Sequence, residues 1–483
     1  MINWPNQLKI LGLFILALSG AMSVALALAI YDNDDGLFPL ALSTALSVGV
    51  GGLLVYFIRP EEREFNNREG IMLVILTWVG AGIVGALPFY FSPHFGGFTD
   101  AFFESVSGFT TTGATILTSI ETLPRSLLFW RAFTQWVGGM GIIVLAVAIL
   151  PLVGVGGMEL YRAEFSGASS EKIKPRIAET AKSLWRIYAA YSIAQYVALR
   201  VAGMTPFDSI CHTFTTMATG GFSTRNISVE AYNSPAIEYV IIFFMFAAGI
   251  NITMQYRLLI MRRPKIFLRD LEIQTYFAAT GAAIVAVMIT LWINGLAKGE
   301  EAFRQAAFQV VSIMTTTGFS SADFEVWPPF ALLLLLALMF LGGCTGSTAG
   351  GLKVGRVALL GRVVGREFRR IVERRGVFAV RFNDKAVSEN AIDGLLNLIY
   401  LAFIINFAAC LFLTAFGVDV VTAISAVAAS MFNIGPGLGD VGPTDHYAHF
   451  HAPVKWVLAF CMLAGRLEFY TLLVICTRAY WRK

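Results

Sequence analysis

The chain has 483 residues, of which 56% are apolar and only 14% charged, and its net charge is +4. Soluble domains are roughly 45–50% apolar and about 25% charged, whereas the mean hydropathy here is +0.67. Those figures exclude a disordered chain, a secreted disulfide scaffold and an ordinary cytosolic enzyme, and they offer no basic excess for nucleic acid; they point to a protein dissolved in lipid.

A bilayer core needs about 20 apolar residues in helix. Such runs lie at Ile10–Tyr31, Leu37–Ile58, Ile71–Phe91, Trp130–Leu152, Leu184–Met204, Ile237–Tyr256, Ile273–Ile293, Phe330–Leu341 and beyond, Leu395–Phe416 and Val454–Thr477, ten predicted spans. The first is too long for a cleaved leader and is followed at once by a second span. Between the spans lie Phe98–Phe109, Phe207–Met217, Phe303–Met314 and Val420–Phe432, too short to cross as helices. They suit re-entrant segments, tolerated only where protein or water covers the backbone. Cys211, Cys344, Cys410, Cys461 and Cys476 fall in apolar or pore-like segments without metal-ligand spacing, so they read as reduced packing residues.

Lys and Arg set orientation. Lys353–Lys385 carries ten of them and Arg257–Arg269 five; Arg59, Arg63 and Arg68 follow the second span, and Arg162, Lys172, Lys174, Arg176 and Lys182 the fourth. The opposite face holds scattered cases such as Arg125, Arg225 and Lys298. The basic loops are expected inside, with both termini cytoplasmic.

After Ile58 one unit recurs four times: span, half-length helix, Thr/Gly segment, span. The Thr/Gly segments are Thr110–Thr115, Ala218–Thr224, Thr315–Ser320 and Phe432–Gly437, and their aligned glycines stand 108, 97 and 117 residues apart. Irregular backbone at membrane depth must line a polar path. Span, half-helix, loop, span is the layout of potassium-channel subunits, in which loop carbonyls replace the ion's water shell. Glycine lets the chain turn its carbonyls to the axis, and each half-helix aims its negative C-terminal end at a cation. Asp100 and Asp208, near two half-helix starts, suit the positive ends there.

On these segments the chain resembles the TrkH/TrkG/KtrB superfamily of bacterial potassium transporters, related to fungal Trk and plant HKT proteins. The resemblance also rests on Gln135–Gly141 with the following Ile142–Gly157, on Gly342–Lys353 and on Gly465–Glu468. The two extra N-terminal spans look like those of the TrkH branch. The implied fold is all-α and polytopic: ten transmembrane helices, four parallel repeats around one pseudo-four-fold pore, and a two-helix N-terminal extension. The units run over 1–69 (extension), 70–160, 161–270, 271–386 and 387–483. The resemblance implies an ion path lined by carbonyls of Thr111, Thr112 and Gly113, of Thr219, Gly220 and Gly221, of Thr316, Thr317 and Gly318, and of Asn433, Ile434 and Gly435. Serine at the first aligned glycine goes with sodium preference in the family; glycine at 113 implies K+, with Rb+ passing too. Asn433, Ile434 and Pro436 make the fourth segment the most divergent, and the filter less exacting than that of a four-fold channel.

Gly342–Gly351 holds five glycines plus Ser and Thr, and each glycine costs about 1 kcal/mol in a helix interior. The second span of the third repeat is therefore expected to break. Set against the family, residues Gly346, Ser347, Thr348, Ala349 and Gly350 belong to an intramembrane loop that blocks the pore, where Thr345, Ser347 and Thr348 could hydrogen-bond ions or water. The alternative is a close-packing kink of small residues. Arg466, inside the last span, is expensive in lipid and is expected to face the pore axis, as its counterpart in the family does, as a barrier to cations; a structural salt bridge is the alternative. Lys455, nearer the outer end, is expected to snorkel.

Glu104, His212 and Gln309 each stand nine residues before an aligned glycine, with Ala426 in the fourth repeat, and are expected to hydrogen-bond behind the loops. His446, His449 and His451 read as a solvated outer loop. No catalytic set or nucleotide fingerprint is placed where it works, so an enzyme is not expected. The expected function is potassium uptake across the bacterial inner membrane, with no organic cofactor. The family implies a homodimer and a cytosolic nucleotide-binding TrkA ring that works the gate, docking on Lys353–Lys385 and Arg162–Lys182. The alternative is a symporter moving potassium with protons or sodium by alternating access; inverted repeats would mark it, and the span parity gives parallel ones.

Overall fold

The computed structural model describes residues 2–59, 66–148, 173–383 and 385–482. The predicted end of the fourth span, the glycine-bearing stretch up to Gly157 and the basic residues Arg63, Arg162 and Lys172 lie outside the described residues. Within them the chain is helical, apart from one two-stranded hairpin, Arg381–Phe382 with Lys385–Ala386.

Two long helices, Trp4–Asp32 and Leu37–Phe57, open the chain as an antiparallel pair. They cross where Gly12 and Gly51 meet: a Cβ on Gly12 would lie 3.1 Å from the Gly51 carbonyl oxygen. Small residues at a crossing are how membrane helices approach each other. The pair is tied to the rest by Asp34, which accepts from the Ser126 amide (2.9 Å) and hydroxyl (2.7 Å).

The four repeats follow. Their first spans are Asn67–Tyr90, Ile173–Val201, Leu271–Ile293 and Glu389–Ala415. Local chemistry sets their starts: Asn66 and Glu69 form a reciprocal capping box, and Asp270 and Ser388 cap the third and fourth. The half-length helices are Phe98–Phe109, Pro206–Met217, Gly299–Met314 and Val420–Met431. The third starts four residues earlier than expected. Their C-terminal parts are enclosed by the spans; the first, for example, is buried continuously from Ala101 to Phe109. The spans face the other way, leaving Phe243, Phe277, Tyr400 and Phe407 exposed, as lipid contact requires.

The second spans depart from the expectation of continuous runs. Among the described residues, only Arg125–Ala148 runs without a break. Ile237–Tyr256 is instead Pro235–Ala248 and Ile252–Leu259, bent by 102°. Val454–Thr477 is Ala452–Arg466 and Tyr470–Cys476, bent by 113°. The third, Pro329–Leu341, stops at Gly342 as its sequence predicts. Asn251 explains one break, because its side chain accepts from the amides of Thr253 and Met254 and starts a new helix. At the other, Glu468 and Phe469 take left-handed backbone, φ 56° and 44°.

Candidate functional site: a four-segment ring over an intramembrane loop

Each half-length helix runs directly into its Thr/Gly segment, and the four junctions share one hydrogen-bond pattern. The amide just before the aligned glycine folds back onto the helix: Thr112 to the Ser107 carbonyl, Gly220 to Thr215, Thr317 to Ser312 and Ile434 to Ala429, each at 2.8 Å. The preceding residue is left-handed in every repeat, with φ 53° at Thr111, 55° at Thr219, 56° at Thr316 and 56° at Asn433. The aligned glycine is left-handed again, φ 76–101°. Alternating hand along three residues turns successive carbonyls toward one side.

The glycines also show how the segments meet. A Cβ on Gly113 would lie 2.1 Å from the carbonyl oxygen of Gly220. On Gly221 it would lie 1.9 Å from that of Thr317, on Gly318 1.9 Å from Ile434, and on Gly435 2.8 Å from Thr112. The contacts run from the first segment to the second, third and fourth and back to the first. The twelve residues singled out from sequence therefore come together as one closed ring.

Buried polar groups brace the ring from behind. Glu104 accepts from the Thr115 hydroxyl (3.0 Å), the Ile116 amide (3.0 Å) and Arg131 Nε (2.5 Å). Arg131, 1% exposed, also reaches the Ser223 carbonyl and stacks over Phe222 at 3.8 Å, so one ion pair joins the first segment to the second. His212 contacts the Ser223 hydroxyl, and Gln309 donates to the Ala322 carbonyl. In the fourth repeat, where Ala426 has no polar group, neighbouring Ser425 donates to the Leu438 carbonyl. Gln135 clasps the second segment, donating to Gly220 and accepting from Phe222. Arg131 was not singled out from sequence; an arginine inside an apolar run was its signal. A recess opens on one side of the ring, lined by all four aligned glycines with Arg225, Asp445 and His446. Among the described residues, no cluster of three His, Cys, Asp or Glu could hold a metal ion.

On the other side lies Gly342–Lys353, an irregular segment that bonds to the second, third and fourth repeats directly and to the first through Arg466. The Thr348 hydroxyl donates to the Met217 carbonyl (3.1 Å), the Gly350 amide to the Thr316 hydroxyl (2.6 Å) and the Gly351 amide to the Phe432 carbonyl (3.1 Å). Its link to the first repeat is Arg466, which donates to the carbonyls of Thr110 (2.6 Å) and Thr348 (3.1 Å). The bend after Ala248 serves the same segment: the Gly249 carbonyl accepts from the Cys344 amide (2.8 Å) and the Ile252 amide donates to Gly346 (3.3 Å). A simple kink of small residues does not make such contacts. The hydroxyls of Ser347 and Thr348 donate to protein carbonyls.

Arg466 has no carboxylate partner among the described residues, and its Nη2 is buried without a hydrogen bond. Glu468 pairs with Arg356 instead, at 2.7 Å. Lys455 does not snorkel: it is 6% exposed and pairs with Asp100 at 2.7 Å. Snorkelling loses because a carboxylate on the first half-helix lies within reach. Asp208 is held by the Thr205 and Thr224 hydroxyls and by Arg225.

Four half-helices that run into one closed ring, inside a sheath of apolar spans, define a polytopic membrane protein built from four like units around one centre. The chain belongs to the TrkH family, described as cation transport proteins, whose model matches residues 40–482. It is 42% identical to the Trk system potassium uptake protein TrkH of Salmonella typhimurium and to that of Escherichia coli K12, in each case across 98% of this chain and 99% of the relative. It is 30% identical to the E. coli TrkG protein over 98% of this chain and 97% of that one. The crystal structure of the potassium transporter TrkH from Vibrio parahaemolyticus superimposes with a TM-score of 0.91, at 37% identity and with both chains covered completely. A chain of this family is a transporter and not an enzyme.

Proposed function

We propose that this chain is the membrane subunit of a potassium uptake system of the bacterial inner membrane, passing ions down one pore per chain. The observation that carries this is the closed ring of four equivalent segments with an irregular loop directly beneath it. The carbonyls of Thr111–Gly113, Thr219–Gly221, Thr316–Gly318 and Asn433–Gly435 replace the water around K+, and Rb+ follows the same path. Loop residues Gly346–Gly350 close that path, and the free edge of the Arg466 guanidinium adds a positive charge on the axis below the ring. The basic loops face the cytoplasm with both termini. Two chains form a homodimer, and a TrkA-type nucleotide-binding ring docks on the basic surface and works the loop. Residues 1–69 act as an extension outside the four pore units 70–160, 161–270, 271–386 and 387–483.

The test is rubidium-86 uptake into liposomes holding the purified chain, with and without an opposing proton gradient. Uptake that follows the potassium gradient and ignores pH is the expected result. Uptake driven uphill by protons would overturn the pore and establish the coupled symport cycle instead.

A further inference from the structure

We propose that Glu272 is a positioning residue that latches the intramembrane loop shut, and that Asn383 couples this latch to the cytoplasmic surface. The proposal rests on the reading of Gly346–Gly350 as the gate.

Glu272 is the second residue of the span Leu271–Ile293 and is buried. A single carboxylate oxygen, Oε1, accepts from the Thr345 amide at 2.6 Å and from the Gly355 amide at 3.1 Å. Those residues are the two shoulders of the loop. One is in its descending limb, and the other is in the first turn of the helix Val354–Val372 that leaves it. One oxygen thus closes the base of the loop. Gly355 leaves space for the contact, since a Cβ there would lie 2.6 Å from the same oxygen.

The latch is connected outward. Asp270, two residues earlier, accepts from Asn383 Nδ2 at 2.7 Å, and Asn383 Oδ1 accepts from the Leu271 amide at 2.8 Å. Asn383 sits in the turn of the hairpin Arg381–Ala386, within the basic connection to the fourth repeat. Arg362, on the helix leaving the loop, donates to the Arg381 carbonyl at 2.5 Å. The circuit closes: loop, helix, hairpin, Asn383, helix start, Glu272, loop. A displacement of the hairpin from the cytoplasmic side moves the start of the span, and with it the oxygen that holds both shoulders.

The experiment measures rubidium-86 uptake by the full-length chain in liposomes without any partner, beside its K+/Na+ preference. Glu272→Ala should raise the basal rate about tenfold, with the preference unchanged. Glu272→Gln, which keeps one acceptor oxygen at the same place, should fall between it and the parent. Asn383→Ala should raise the rate about twofold, since it removes two part-buried hydrogen bonds at the start of the span. Deletion of Gly346–Gly350 is measured in parallel. A fast deletion with a flat Glu272→Ala overturns the latch and leaves the gate standing. A flat deletion overturns the gate, and the latch with it. A Glu272→Ala variant that is fast but equally permeable to Na+ overturns the latch, because the filter itself has then moved. If Glu272→Ala does not purify as a folded protein, flat rates in both Glu272→Gln and Asn383→Ala overturn the proposal.

Discussion

Thr111, Thr219, Thr316 and Asn433 each hold left-handed backbone although none is glycine. Such conformations cost of order 1–3 kcal/mol and persist where the surroundings over-determine them. Here the amide that folds back onto the half-helix supplies the constraint, together with side chains such as Asn433, whose Nδ2 donates to the Thr112 hydroxyl at 2.8 Å. The glycines two residues on differ in how much room they leave. Gly221→Ala brings a methyl to 1.9 Å from a carbonyl oxygen, whereas Gly435→Ala brings it to 2.8 Å. Rubidium uptake should therefore be abolished in the first and retained in measurable part in the second. Gly113→Ser forces its neighbour Gly220 outward, and the K+ over Na+ preference should fall about tenfold in competition uptake. Behind the ring, Arg131→Met strands the buried Glu104 carboxylate. Removing one member of a buried pair costs about 3–5 kcal/mol, so the thermal midpoint in detergent should drop. Adding Glu104→Gln to that variant should recover part of the loss.

At the scale of elements, the breaks in the second spans are what make the site. Each broken span turns groups toward the segment under the ring: backbone groups of Gly249 and Ile252 bond the loop, and the side chain of Arg466, the last residue of its helix, reaches both loop and half-helix. The Glu468–Arg356 pair then ties the segment after the second bend to the helix leaving the loop. Arg466→Ala removes a positive charge and two bonds to the closed arrangement; the expected outcome is faster rubidium flux in folded protein. The N-terminal helix pair stands apart from this machinery. Gly12→Leu places a side chain against Leu54 and the Gly51 backbone, which should splay the pair and lower the melting temperature. K+/Na+ preference should be unchanged, because no part of the ring touches that crossing.

For the whole molecule, four unequal copies in one chain give a ring whose joints are not alike. Three joints are tight and the one from Gly435 to Thr112 is looser, at the segment where Asn433 and Ile434 replace threonines. The spans, the four half-helices, the four aligned glycines and the break at Gly342 were legible in the sequence, because apolar run length, Thr/Gly clusters and a glycine string act locally on the backbone. The family resemblance followed from the same residues. The bends after Ala248 and Arg466 were not legible: both lie in runs apolar enough to read as continuous helix, and the second contains neither Gly nor Pro at its turn. The contacts that hold them lie far along the chain: Gly249 and Ile252 bond Cys344 and Gly346, and the Arg466 side chain bonds Thr110 and Thr348. The same holds for Lys455 with Asp100, for Arg131 with Glu104, and for Glu272 with the two shoulders of the loop. Sequence alone determined which segments are apolar enough to cross a membrane and which half-length helices lead into irregular Thr/Gly segments, since lipid punishes unsatisfied backbone wherever it occurs. Tertiary structure alone decided the order of contacts around the ring and the partners of Lys455, Arg131 and Glu272, because these depend on which distant chain segment arrives within about 3 Å.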